Sequence, residues 1–542
     1  MFSKAYILVR MAIANIFSSL LNLFVGLVLL FGAAILVIGG SVFSTLDDAM
    51  SKSIIGSITG HLQVYGAGSK DPLEIYGRVD GSDSNLSPID DFKSLKAQLL
   101  TIPNVKQVVP MGAATAIVST GNTVDVTLEK LRTLYRNQAD AKTALPPDEF
   151  ERQSHSLEAH AINMVKVIAT DLDRAKELAA DAVDVRSSEA VAIAGAEKFW
   201  QTFDDDPLGH LEFLENRVAP LAADADLLFI RYLGTDLEAY QKSFDRLTVV
   251  EGTQVPPGRQ GILLPRFFSE EYLKLKNARR LDKIKDARAA GRRLNDASDK
   301  ELQRFVKENQ SQTREIVLQL DGIATATAVK KLQTFLSTAD SNLPTLLSTF
   351  FSVTDETFDA RYRFFYDELA PMLSMYRVRV GDTMTLRSFG RSGSIQTAVV
   401  KVYGIVELRG LEKSPLAGAN ALLDIITFRE LYGFLTAEKR AEQEQMKAAA
   451  AAKSISRASA EAELFGGGDS LVEEVKPEAI TADVETDRPD EKRQPKAFND
   501  DVYAVSEIDE GVVLNAAILL HDGSYGAQQK TREEIERLFT SQ

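Results

Sequence analysis

Five histidines, His61, His155, His160, His210 and His521, are the side chains of this sequence whose ordinary pKa lies near neutrality. Only His155 and His160 are close enough in sequence to share a task. Five residues apart, they fall on different faces of a helix, so a shared metal is not expected. Cysteine is absent, which excludes disulfides, zinc ribbons, cysteine-held iron–sulfur clusters and thiol catalysis together. No GxxxxGK[ST] phosphate loop, GxSxG elbow or HExxH pair occurs. The run Asp204-Asp205-Asp206 lacks the glycine and terminal glutamate of a calcium loop and reads as a loop. No enzyme and no cofactor is expected. One basic concentration stands out: Lys274, Lys276, Arg279, Arg280, Lys283, Lys285, Arg288, Arg292 and Arg293, opposed only by Asp282 and Asp286. Two readings fit it, a helix contacting anionic headgroups or an acidic partner, and an ordinary solvated helix surface.

The elements that would position such residues begin with an asymmetry. From Met11 to Leu46 there is no ionisable side chain. A hydrocarbon core of roughly 30 Å needs about 20 apolar helical residues, and 20–43 supplies them. A retained anchor is the expectation. The alternative, a cleaved secretory signal, has an apolar core of about 7–15 residues, shorter than this run. Lys4 and Arg10 precede the span and Asp47 and Asp48 follow it, so the positive-inside tendency leaves the N-terminus cytoplasmic. Ser18, Asn22, Gly26, Ala33 and Gly40 recur at intervals of four and seven along one helical seam. Such a seam admits another helix, and it also fits the ordinary Gly and Ala content of membrane helices. Residues 3–18 read either as part of the crossing or as an interfacial elbow.

A formal charge of −15 and a pI of about 5.1 disfavour nucleic acid through repulsion from phosphate. Past the anchor, His61 to Tyr65 alternates as a strand, Phe92, Leu95, Leu99 and Leu100 repeat at helical spacing behind Asp90 and Asp91, and Val105–Val109 and Ala114–Thr120 read as strands. Gly121-Asn122 reads as a hairpin turn into a strand Thr123–Leu128. The stretch from Glu129 to about Pro220 reads as helical, with Val165–Ala169 as one buried strand, and a second helical block runs from Ser269 to about Met375. Strands are expected at Leu227–Tyr232, Thr383–Leu386, Ser394–Val406 and Val512–Leu520, and an amphipathic helix at Thr531–Phe539.

The order of these elements resembles a known family. Thr59-Gly60-His61-Leu62-Gln63-Val64-Tyr65 after a single membrane helix resembles the start of the periplasmic core domain in ABC-transporter permeases of the MacB, FtsX and LolC/LolE type. Leu233-Gly234-Thr235-Asp236, Leu247 to Gly252, Gly258 to Leu264 with a helix Phe267–Leu275, Val380 to Leu386 and Val399 to Ile405 are similar to further strands and turns of that family, in order. The resemblance covers roughly 1–125, 225–268, 377–430 and 512–539. It implies a dimeric transmembrane assembly driven by a cytoplasmic ABC ATPase, with further permease helices or a further subunit, membrane lipids, and an envelope protein or lipoprotein as partners. Its output would be lipoprotein or lipid transport, or mechanotransmission. Family members carry three more membrane helices after this domain, so the chain is expected to be half of a split permease, the first part of a longer chain, or a binding module without transport. The alternative to a permease-type subunit is a single-pass envelope scaffold.

The expected fold is α+β: one N-terminal transmembrane helix followed by a large exported domain of two mixed α/β lobes with long helical insertions. The segments are 1–19 cytoplasmic or interfacial, 20–43 transmembrane, 59–128 the first part of the core domain, 129–224 a helical insertion and 225–268 core strands. There follow 269–376 a second insertion, 377–436 a β-rich lobe, 437–505 a flexible acidic linker and 506–542 a returning strand and helix. The expected location is a bacterial inner membrane, crossed once, with the bulk periplasmic.

Overall fold

A computed structural model describes residues 10–11, 20–69, 86–119, 122–178, 185–222, 228–389, 395–412, 420–434 and 502–540. Ser18, the side chain of Asn22 and nearly all of the linker 437–505 lie outside them. The chain is mixed α/β, with one long apolar N-terminal helix and one large sheet. That helix, α1 (Leu20–Ile54), passes the expected end at residue 43 by three turns. Ser44–Ile54 contains no proline or glycine to break a helix.

After α1 come β1 (Leu62–Tyr65), α2 (Phe92–Leu99) and β2 (Val105–Ser119). A first insertion follows: α3 (Thr123–Ala139), α4 (Pro147–Leu178), α5 (Val185–Gly195), α6 (Glu197–Gln201) and α7 (Pro207–Phe213). The sheet resumes with β3 (Leu228–Thr235), α8 (Leu237–Ser243), β4 (Leu247–Gly252) and β5 (Ile262–Pro265). The second insertion holds α9 (Lys276–Ala289), α10 (Lys300–Ser311), α11 (Arg314–Gln319), α12 (Gly322–Leu336), α13 (Leu343–Phe350) and α14 (Phe358–Phe364). Last come β6 (Thr383–Phe389), β7 (Ile395–Leu408), β8 (Asn420–Asp424), α15 (Ile425–Tyr432), α16 (Val505–Asp509), β9 (Asn515–Leu520) and α17 (Tyr525–Thr540).

The strand order is β1-β9-β2-β3-β8-β5-β7-β4, and β6 pairs with both β2 and β7. The pairings β2-β3-β8-β5-β7-β6-β2 therefore close a ring of six strands. From it β9 and β1 extend along the other half of β2, and β4 extends from β7. Alternation along the strands makes two cores. Ile262, Leu264, Ala421 and Leu423 face one side with Val400 and Leu386, while Leu263 and Leu422 face the other with Met111 and Leu233. The first side is filled by α15, which packs against β2, β3, β6, β7 and β8. Its Phe428 is fully buried. A Cβ on Gly112 or Gly234 would lie 2.1 or 2.2 Å from that side chain, so two bare strand positions are the socket for the ring. At the start of α15 the buried Asp424 caps Thr427 N and accepts from Gly261 N, and burial pushes its carboxyl up to about 6 against those donors.

Three local expectations change. Thr123–Leu128 is not a strand but the first turns of α3. Asn122 and Asp125 form a capping box, and Val124, Leu128 and Leu131 share one buried face. Val165–Ala169 is not a strand but the middle of α4, whose buried Leu157, Ala161, Met164, Val165 and Ile168 follow helical spacing. The two strands expected around Pro110 are one, because Pro110 needs no amide donor there and its carbonyl accepts from Thr235 Oγ1 at 2.8 Å. Among the described residues all strands belong to one sheet, and both insertions are helical. The insertions also pack on each other: His160 Nε2 meets Leu318 O at 2.7 Å, Lys130 donates to Gln319 O, and Arg314 pairs with Asp171 at 3.2 Å.

Candidate functional site: the α1 junction and the neck of the insertions

Among the described residues nothing covers the apolar stretch of α1; Leu21, Phe24, Leu29, Leu30, Leu36 and Val37 are all exposed. Gly26, Ala33 and Gly40 lie on this bare stretch, spaced by seven, and beside Gly40 no atom lies within 4 Å of a would-be Cβ. By length and composition α1 is able to cross a membrane.

Where α1 reaches the sheet there is no linker. The helix widens into a π-turn, Ile55–Thr59, closed by Gly60 N to Ile55 O at 3.2 Å. Ser57 and Ile58 are buried on the face of the sheet opposite α15. Tyr240 of α8, itself buried against Phe244, donates its hydroxyl to the Ser57 carbonyl. Arg246 N donates to Gly56 O at 3.3 Å, and Arg409 N to Arg246 O at 2.9 Å, so β4 and β7 hold the same turn. Gly60 has φ 62°, and a Cβ there would lie 2.9 Å from Ile518 O. This close approach lets His61 N donate to Ile518 O at 2.9 Å and start the β1–β9 pairing. His61 Nδ1 accepts from Leu520 N at 3.2 Å, and burial, aided by Lys106, lowers its pKa. The neutral ring therefore carries its proton on Nε2.

The returning segment is held from the other side of the sheet. Arg429 of α15 is buried, with Nε donating to Val512 O, Nη1 to Glu507 O and Nη2 to Ile508 O, each at 3.0 Å. The carbonyls of Glu507 and Ile508 lie at the C-terminal end of α16, where a cation is favoured. A continuous path thus runs from the ring-filling helix α15 through Arg429 and β9 to β1 and α1.

The second insertion leaves the sheet through a neck of two antiparallel segments. Leu275 N donates to Met375 O at 2.8 Å and Arg377 N to Leu273 O at 3.0 Å, with Lys274 opposite Tyr376. Lys274 Nζ sits 2.6 Å from Asp282 and 2.7 Å from Glu270, and Tyr362, Tyr366 and Tyr376 donate to the same two acids. Burial alone would lower Lys274; the hydrogen-bonded Asp282 and Glu270 outweigh it and hold it above the usual lysine value. Burial, then Asp282, push Tyr362 up to about 12.

These contacts redefine the basic concentration. Lys274, Arg280 with Glu308, Lys283 with Glu271, Arg288 with Asp359 and Arg292 with Asp299 are ion-paired within the chain. Arg279 donates to the Glu271 carbonyl, and Lys285 lies 4.5 Å from the ring centre of Tyr362. Arg293 lies in a shallow surface hollow beside Asp296 and Asp299. Lys276 lines the cavity between the insertions. A continuous basic face is therefore largely neutralised by the helices that surround it. Elsewhere, His210 bonds Asp206 O and Thr202, Asp204 accepts from Tyr135, and among the described residues no group of three His, Asp or Glu is arranged to hold a metal.

No family model, curated protein or solved structure matches the chain. Sequence reading missed Tyr240, Arg246 and Arg429, whose partners are distant in the chain; Gly60 was noticed only as part of a resembling motif.

Proposed function

We propose that this protein is a membrane-anchored, permease-type subunit whose sheet domain moves with its anchor, coupling ATP hydrolysis by a separate cytoplasmic ATPase to movement outside the membrane. The observation that carries this reading is the linkerless junction. A tether that only localises a domain needs no buried, hydrogen-bonded exit, whereas a lever does. From Leu20 to Phe43 the helix runs about 36 Å and from Ser44 to Ile54 about 16 Å more, at ~1.5 Å per residue. The hydrocarbon core is ~30 Å thick, with headgroups adding several ångströms a side, so the sheet would ride close above the lipid surface. A rotation or tilt of α1 would then reach β1, β9 and the ring without slack. The motifs resembling the MacB, FtsX and LolC/LolE type agree with this reading: Gly60 sits at the exit, Gly234 under Phe428, and Gly381-Asp382 in the β6 turn, where Asp382 accepts from Arg379 N at 2.8 Å. In this reading the N-terminus is cytoplasmic, the membrane is a bacterial inner membrane, and α1 packs with further helices.

The test is a Gly-Gly-Ser insertion between Ile54 and Ile55, made in the full chain in its own cell. The parent is expected to copurify in mild detergent with a multi-helix membrane partner and an ATPase. The insertion should retain copurification while abolishing activation of that ATPase. Recovery of the parent alone as a monomer, or full activity in the insertion variant, would overturn the coupling role and favour a scaffold.

A further inference from the structure

In the first insertion one hydroxyl stands between two carboxylates. Tyr135 Oη of α3 lies 2.9 Å from Glu158 Oε1 of α4 and 2.6 Å from Asp204 Oδ1, in the tight turn Phe203–Asp205 that follows α6. A phenol has one proton to give, and an ionised carboxylate has none. Asp204 is exposed and at the shorter distance, so it takes the phenolic proton as a charge-assisted acceptor. The contact with half-buried Glu158 is then attractive only when Glu158 carries a proton of its own and donates it to Tyr135 Oη. The second insertion shows the opposite ratio. There four donor groups, Lys274, Tyr362, Tyr366 and Tyr376, surround the two acids Asp282 and Glu270, and both acids are satisfied without an added proton.

The electrostatics of the three side chains agree with this count. Burial raises the Glu158 carboxyl; the Tyr135 hydroxyl and the charge of His155 oppose it, and the charge of Asp204 adds to it. Burial, then the two acids, push the Tyr135 phenol well above its usual value, so it keeps its proton through the neutral range. Among the described residues Asp204 and His155 are the charges that act on Glu158. Arg132, one turn before Tyr135, is engaged by Glu215 and Glu129, and His210 of α7 bonds Asp206 O and Thr202. Arg136, Asp205 and Asp206 are exposed beside the cluster.

We propose that Glu158, Tyr135 and Asp204 form a proton-operated latch that closes α3, α4 and the Phe203 turn on one another. With Glu158 protonated, hydrogen bonds run in one direction from Glu158 to Tyr135 to Asp204. When that proton leaves to solvent, two charges face a single hydroxyl and the exposed Asp204 side of the latch opens to water. Because the folded Glu158 holds its proton more tightly than an unfolded glutamate, the latch contributes in full below the usual value of 4.5 and is lost as the pH rises through the higher folded value. An aromatic stack connects the latch to one reporter. Tyr135 meets Phe203 at 5.8 Å between ring centres, and Phe203 stacks on Trp200 at 5.3 Å and 18°. Trp200 is the single tryptophan of the chain. This inference does not rest on the transport reading.

The test is the emission of Trp200 in the full chain in nanodiscs, titrated between about pH 4 and pH 8. One step is expected, with its midpoint above the usual glutamate value. Glu158→Gln, whose amide keeps a donor toward Tyr135, should abolish the step and hold the acid-side emission throughout. Tyr135→Phe should abolish it and hold the alkaline-side emission. His210→Asn, which removes an imidazole 5.5 Å from the Phe203 ring, should leave the midpoint in place. Thermal unfolding verifies that each variant is folded. Absence of a step in the parent, a midpoint at the usual glutamate value, a parental step in folded Glu158→Gln or Tyr135→Phe, or a step lost with His210→Asn would each overturn the latch.

Discussion

Replacing Arg429 by methionine isolates the clamp that holds the returning segment. The methionine keeps most of the aliphatic stem's packing and removes all three donors. Two effects oppose each other. Taking a buried cation out of the protein relieves a desolvation penalty, which in some proteins makes such changes neutral. Here the acceptors are backbone carbonyls, Val512 O in a buried setting and Glu507 O and Ile508 O at its edge, and they remain after the substitution. A hydrogen bond from a charged donor contributes ~1.5–3 kcal/mol, and a buried acceptor left bare costs ~1–3 kcal/mol. With water reaching the two edge carbonyls, the bare Val512 carbonyl and the lost charged donors dominate, and the net loss is about 3 kcal/mol. That loss should fall on local opening of 502–520, whose carbonyls Arg429 holds, rather than on the helical insertions. Hydrogen exchange followed by mass spectrometry checks it: amides of β9 should exchange about a hundredfold faster, while those of α13 keep their parental rate. Unchanged protection of β9, or an equal rise in α13, would refute the clamp.

Two further outcomes follow from the same geometry. Because burial lowers the folded-state pKa of His61 below its unfolded value, the unfolded chain binds the proton more readily. Stability is then full above pH ~6.5 and falls as the pH drops below it. His61→Asn, which retains an acceptor near Leu520 N, should flatten that part of a stability-versus-pH curve measured by denaturant titration; a parental slope in the variant would reject the role. Gly234→Ala places a methyl 2.2 Å from a Phe428 side-chain carbon, and overpacking of this kind costs ~1–3 kcal/mol. The double variant with Phe428→Leu should recover part of the loss in thermal unfolding, and no recovery would mean that the socket is not the cause.

Local spacing carried much of the secondary structure. The helix at Phe92, the strand after Gly381-Asp382 and the apolar run before His521 are visible because their partners in the pattern are two to four residues away. Thr123–Leu128 misled because its alternation of Val and Thr also satisfies an i, i+4 face, and Asn122 with Asp125 was the signal that decides for a helix. The short run Val165–Ala169 misled for lack of a longer window, since Leu157 and Ala161 continue its helical stripe. The junction and the clamp were illegible for a different reason. Tyr240 lies 183 residues from Ser57, and Arg429 lies 83 residues from Val512, so no local pattern encodes either pairing. The basic cluster shows the converse: read along the chain it is a cationic face, but the acids that neutralise Arg288 and Arg280 come from α14 and α10.

The pairing of β1 with β9 also governs how this molecule can be made. Asn515 reaches back 452 residues to Gln63, so the strand that emerges first from α1 waits for almost the whole chain before its neighbour exists. At ~5–20 residues synthesised per second that interval is roughly 20–90 s. Throughout it α1 is already made while β1 lacks its β9 partner. Pairing of β1 with β9 is thus a late event, and until then β1 is the kind of unpaired strand that is prone to pair with other chains.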